Sequence, residues 1–220
     1  MIPVREPAAL SLVKRGKDLL RALGLTFWLQ VAAMSVAARS VEVGGWVETP
    51  PLVLVVFLAT LTAAFLVRRK RQRWEHHLGA VLVGASLAYI GGVYLTESDQ
   101  WYHRFGDLHG RVVLWWQAVV GEDVTTDTLP LSIVLIAITW LVAYFTAWAL
   151  FRYQNAWATV LPIGAGITIN LTYLPEQLYF YFFAFLFIAL LLIAHMTSLR
   201  RRSQMQAQGI PYPTLFHQLS

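Results

Sequence analysis

The chain has 220 residues, of which 57% are hydrophobic and only 13% charged, too few charges to cover a water-soluble domain, where about a quarter of residues carry one. Its net charge of +5 does not indicate a nucleic-acid partner, because the basic residues flank apolar stretches, where lipid headgroups lie. With no cysteine, the chain offers no disulfide, thiolate metal site or cysteine nucleophile.

A membrane-spanning helix needs about 20 apolar residues. The first apolar stretch, 22–38, follows a lead bearing Arg5, Lys14, Arg15, Lys17 and Arg21. It lacks a small-residue cleavage pattern, so a retained helix is expected. The second, 51–67, is uncharged, and Pro50 and Pro51 suit a helix start. The basic run Arg68, Arg69, Lys70, Arg71 and Arg73 follows, then a glycine-rich third stretch, 78–95. In the connector 96–128, Phe105, Leu108, Val112, Trp115, Trp116 and Val119 recur at helical spacing with Asp107, His109 and Arg111 between them. That pattern predicts an amphipathic helix, either lying in the headgroup layer or packed across the end of the bundle. The fourth stretch, 129–151, is the longest; the fifth, 156–174, holds Pro162 and Asn170; the sixth, 178–194, is almost wholly aromatic and aliphatic. None alternates with period two, which rules against barrel strands. The expected fold is all-α: a polytopic transmembrane helical bundle of six spans plus one interfacial amphipathic helix. Residues 1–199 form the membrane domain and 200–220, with Gly209, Pro211 and Pro213, a polar cytoplasmic tail.

Orientation follows from counting cations. With the N-terminus inside, 14 of the 17 Lys and Arg fall on the cytoplasmic side, leaving Arg39, Arg104 and Arg111 outside. The determinants are Arg68, Arg69, Lys70, Arg71 and Arg73, together with Arg200, Arg201 and Arg202. Most acids fall outside, among them Glu42, Glu48, Glu97, Asp99, Asp107 and Asp127. Trp46, Trp101 and Trp115 are expected at the outer interface, and Trp74, Tyr153 and Trp157 at the inner one.

No enzyme motif is complete. His76-His77 has no third ligand at useful spacing. His103 and Asp107, four residues apart, share a helical face, which reads as a solvated face before a metal site. Gly84-Ala85-Ser86 matches half of an intramembrane serine protease motif, but Leu87 stands where the next glycine belongs. Near the span centres the polar residues are uncharged: Gln30, Ser35, Thr60, Thr62, Thr139 and Asn170. Such groups most often hydrogen-bond between helices. Gly164 and Gly166 beside Pro162 read as helix packing and a bend. Asn170-Leu171-Thr172 is formally a glycosylation acceptor but lies too close to the membrane. No catalytic, cofactor-binding or metal residue is assigned. The candidate partner or lipid interface is Trp101, His103, Phe105, Leu108, Trp115 and Trp116.

The run from Ile169 to Pro213, with its Asn-Leu-x-Tyr-x-Pro turn and following basic stretch, resembles the N-terminal membrane domain of bacterial transglutaminase-like membrane proteins. Ser40 to Val47 and the aromatic-rich connector resemble it too, while Gln204-Met205-Gln206 departs from the pattern. The resemblance implies an inner-membrane protein in which a further span leads to an extracytoplasmic domain with a Cys-His-Asp triad. The chain stops before that span, so no triad residue carries over. The expected function is a non-catalytic membrane anchor and scaffold, with no cofactor and with membrane lipids and an extracytoplasmic protein domain as partners. The alternative is a small transporter or channel subunit lined by Gln30, Ser35, Thr139 and Asn170.

Overall fold

The structure, a computed structural model, describes residues 8–68, 74–97, 100–121, 125–173 and 178–208. Among these the chain forms helices and no strand: α1 (Ala8–Gly44), α2 (Leu52–Val67), α3 (Trp74–Leu95), α4 (Trp101–Val120), α5 (Leu129–Tyr153), α6 (Trp157–Thr172) and α7 (Tyr179–Ala207). Every apolar stretch is a helix, and the connector helix is present as α4.

Three of these, α3, α5 and α7, are long and apolar enough to cross a membrane, where six spans were expected. The protein is therefore membrane-embedded, but length and apolarity mark half the expected spans. The other three expected spans are α1, which is 37 residues long but less apolar, and α2 and α6, which are apolar but only 16 residues each. At 1.5 Å per residue α2 and α6 reach about 24 Å, short of a hydrocarbon core of about 30 Å. Two other boundaries also differ. α1 runs on past Ala38 to Gly44 and stops where Gly45 takes a left-handed φ of 64°, a conformation that favours glycine. α7 continues to Ala207, so Arg200, Arg201 and Arg202 lie on the same helix as the sixth apolar stretch.

Helix ends are set by local chemistry. The Glu42 carboxylate accepts the Leu52 N–H at the start of α2, replacing one partner that a helix N-terminus lacks. Asp127 Oδ1 does the same for the Leu129 N–H of α5 at 3.0 Å, and Asn155 Oδ1 for the Trp157 N–H of α6 at 3.1 Å. α5 ends at Gln154, which is left-handed. Arg200 then donates to the Tyr153 carbonyl at 3.2 Å, placing a cation at the negative end of the α5 dipole.

α5 is the hub. It packs against α2, α3 and α6, while α7 lies on the other side of the bundle against α1 and α6. The α3–α5 contact depends on small residues. Ala80, Gly84, Ala88 and Gly92, spaced by four, are all buried and form one helical row. The Trp140 indole fills the space over Gly84 and donates from Nε1 to the Ala80 carbonyl at 3.0 Å. The main core gathers Ala33, Val56, Ala59, Ile136, Tyr144 and Phe185 from α1, α2, α5 and α7.

The antiparallel chain sorts its connectors onto two ends. One end brings the α1–α2 connector to the end of α6 and the start of α5, with α4 laid over α3 and α5. The opposite end joins Thr26 of α1 to His195 of α7 at 3.1 Å and Tyr153 to Arg200.

Candidate functional site

The end bearing Glu42, Glu48, Glu97, Asp107 and Asp127 gathers the candidate residues. Its α1–α2 connector is pinned by side chains far apart in sequence. Trp46 Nε1 donates to Asn170 Oδ1 at 3.0 Å, and Asn170 Nδ2 donates to Ser40 Oγ at 3.0 Å. The Trp46 and Tyr173 rings meet edge-on at 5.9 Å. Asn170 is buried with both ends of its amide engaged, so the glycosylation pattern there is a packing site. Beside this clasp lies an open cleft of about 560 Å³ lined by residues including Arg39, Glu42, Glu48, Thr49, Pro51 and Thr128. Arg39 is paired with Glu42 at 2.5 Å.

α4 is fastened at its middle. Leu108 is fully buried among Val93 and Leu129, so this candidate interface residue is an anchor and not part of the free surface. Arg111 grips Asp127 with two parallel hydrogen bonds, Nε to Oδ2 at 2.6 Å and Nη2 to Oδ1 at 2.5 Å. Asp127 thus clasps α4 and caps α5 at once. The other candidates are spread along α4. Trp101 stacks near Phe105 at 6.1 Å and carries the Arg104 guanidinium over its ring at 5.8 Å. Phe105 reaches the Tyr89 ring of α3 at 6.1 Å. His103 and Trp116 are exposed, and Trp115 is half-buried.

Arg111 holds the Asp127 carboxyl below the usual carboxylate range by direct hydrogen bonding, and the Leu129 N–H adds to this against a smaller opposing effect of burial. Asp127 holds the Arg111 guanidinium above its ordinary value in return. Because the folded carboxyl titrates below its unfolded value, its contribution is complete above that unfolded value. It is lost as pH falls through the lowered folded value. Amide protection in α4, corrected for the intrinsic pH dependence of exchange, should therefore stay constant from neutrality down to about pH 4, near the unperturbed aspartate value, and fall only in more acid solution. Asp127→Asn should raise α4 exchange already at pH 7. An unchanged exchange pattern in that variant would refute the clasp.

The residues named for enzyme chemistry do not converge. The Ser86 hydroxyl donates to its own helix at Leu82 O, 2.9 Å, on an exposed face, and His195 pairs with Thr26 on α1. His77 Nδ1 lies 2.8 Å from the Tyr144 hydroxyl, with the Trp148 ring 4.9 Å away edge-on. Among the described residues no three His, Cys, Asp or Glu side chains cluster to hold a metal. Nor do the polar span residues form one path. Gln30 is buried and donates to Thr146 Oγ1 at 3.0 Å, while Thr159 donates to the Thr146 carbonyl at 3.2 Å. Ser40, ten residues along α1, belongs to the Asn170 clasp. Between the two, α1 gives Ala33, Met34 and Ala37 to the core, and the Ser35 hydroxyl is buried there without a hydrogen bond to either group.

Sequence reasoning missed Ser40, Glu42, Thr146, Thr159 and Asp127 as structural residues. Only Asp127 carried a local signal, an aspartate two residues before Leu129-Pro130, which marks a helix start. Among the topology determinants, Arg68 is exposed at the end of α2 and Arg200 and Arg201 are exposed on α7. Arg69, Lys70, Arg71 and Arg73 lie outside the described residues.

No family model, curated protein or solved structure matches the chain.

Proposed function

We propose that the protein is a six-span, non-catalytic anchor and scaffold of the bacterial inner membrane, with both termini cytoplasmic, akin to the membrane domain of transglutaminase-like membrane proteins. The observation that carries this reading is the partition of charge along the bundle. Arg68, Arg152, Arg200, Arg201 and Arg202 stand toward one end, where Arg200 meets Tyr153. Glu42, Glu48, Glu97, Asp107 and Asp127 stand toward the other, with Glu75 an exception at the basic end, and there two of the three arginines, Arg39 and Arg111, are tied to Glu42 and Asp127. Two of the three exceptions to the positive-inside count are thus held in ion pairs. α2 and α6 serve as the short spans. Their deficit of about 6 Å is within what local bilayer thinning accommodates.

The scaffold reading also fits the polar interior. Gln30 and Asn170 each hydrogen-bond to another helix or connector, which is what residues that tie a bundle together do. The outer connector would hold an extracytoplasmic protein domain close to the bilayer. Replacing residues 96–128 with a Gly-Ser link should leave the chain membrane-inserted while removing co-purification of that partner. Unchanged co-purification overturns the scaffold role. A reporter fused within the connector should be active only outside the cytoplasm, and a cytoplasmic signal there overturns the orientation.

A further inference from the structure

We infer that α4 is a bilayer-surface helix whose overhanging aromatic face is buried in lipid at the headgroup–acyl boundary, leaving its opposite face, with His103, Asp107 and Gln117, for any protein partner. The inference rests on the membrane reading above and settles which of the two settings for this helix applies.

The depth of α4 is set by its anchor. Leu108 packs against Val93, two residues before the end of α3, and Leu129, the first residue of α5. Both α3 and α5 are long and apolar enough to span, so α4 lies at the level where those spans leave the hydrocarbon. Phe105 reaches further in: Tyr89, its ring partner, sits six residues before the end of α3, about 9 Å along the helix.

The direction of the apolar face comes from the same anchor. Trp101, seven residues before Leu108, and Val119, eleven after it, project from the same side of the helix as Leu108. Yet Trp101 is 59% and Val119 49% exposed, while Leu108 is 0%. The difference is position along the helix, not side. α4 crosses the bundle at Leu108, and its two ends overhang the bundle edge. Phe105 and Trp116 flank that face and are exposed too. An apolar face that points toward the level of the spans but lies beyond their edge meets lipid. Tryptophan and phenylalanine beside Arg104 are suited to that depth. His103, Asp107 and Gln117 occupy the opposite side and are exposed, with Leu114 the one large apolar side chain between them.

The native chain has no cysteine, so single-cysteine variants give unambiguous labels. Trp116→Cys, Val119→Cys, His103→Cys and Gln117→Cys would each carry a nitroxide in nanodiscs of phosphatidylethanolamine and phosphatidylglycerol. Collision with a water-soluble nickel chelate is expected to be severalfold lower at 116 and 119 than at 103 and 117, with oxygen collision showing the reverse. Nickel accessibility at both 116 and 119 equal to that at 117 would overturn the inference and leave the aromatic face free in water. Phe187→Cys, exposed midway along the apolar part of α7, separates the two readings. Protection there with accessible 116 and 119 sinks only the α4 inference, whereas nickel access at 187 sinks the membrane reading beneath it.

Discussion

Gly84→Ala should destabilise the bundle by about 3 kcal/mol, the upper part of the usual range for overpacking a core. A Cβ at Gly84 would stand 2.1 Å from Trp140 Cδ1 and 2.4 Å from Nε1. The indole cannot move aside cheaply, because its N–H is held by the Ala80 carbonyl and it is 1% exposed. Breaking a buried bond of that kind costs a further ~1 kcal/mol or more. Gly79→Ala, on the same helix, is the control: nothing lies within 4 Å of a Cβ there, so helix propensity alone should make it neutral to slightly stabilising. Unfolding in mixed detergent micelles would report both. Equal stability of the two variants would mean that α3 does not dock on α5 as described. Removing the indole as well should relieve most of the clash, so the Gly84→Ala and Trp140→Ala effects should be clearly non-additive.

Asn170→Leu should cost about 1–3 kcal/mol, because it leaves the Trp46 N–H and the Ser40 hydroxyl with one partner fewer each in a low-dielectric site. The loss should be local in its structural effect. Amide exchange should rise across 40–50, where the α1–α2 connector would lose its tie to α6, and stay unchanged at the His195–Thr26 end. Gln30→Leu offers the contrast. Gln30 makes one interhelical bond through Nε2, and its Oε1 is buried without a protein partner. Substituting an apolar group of similar size removes that unsatisfied acceptor along with the bond and should be close to neutral. If Asn170→Leu is neutral and exchange across 40–50 is unchanged, the clasp does not organise this end. A transport role for the polar residues makes a different prediction, that both substitutions abolish flux regardless of stability.

The rows that place Gly84 under Trp140 join α3 to α5, and the clasp joins Trp46 to Asn170 across 124 residues. Nothing local at either site announces its partner. Gly84 was legible as a small residue in a span and Asn170 as a polar residue suited to interhelical bonding. Which helix each one serves was not.

The amino-acid sequence by itself determined the all-helical class, the positions of the apolar helices and the existence of α4. Those properties depend on hydropathy and on the spacing of side chains within a few turns. It also determined the alternation of charge, which is a local matter of composition in each connector. Tertiary structure alone decided that Leu108 is the anchor of α4, that Arg111 and Arg39 are neutralised by Asp127 and Glu42, and that Arg200 closes the end of α5 from a continuous α7. It also decided the lengths of α1 and α7, which run past their apolar cores. A helix goes on as long as its backbone bonds are satisfied and its ends find partners, and those partners come from other parts of the chain.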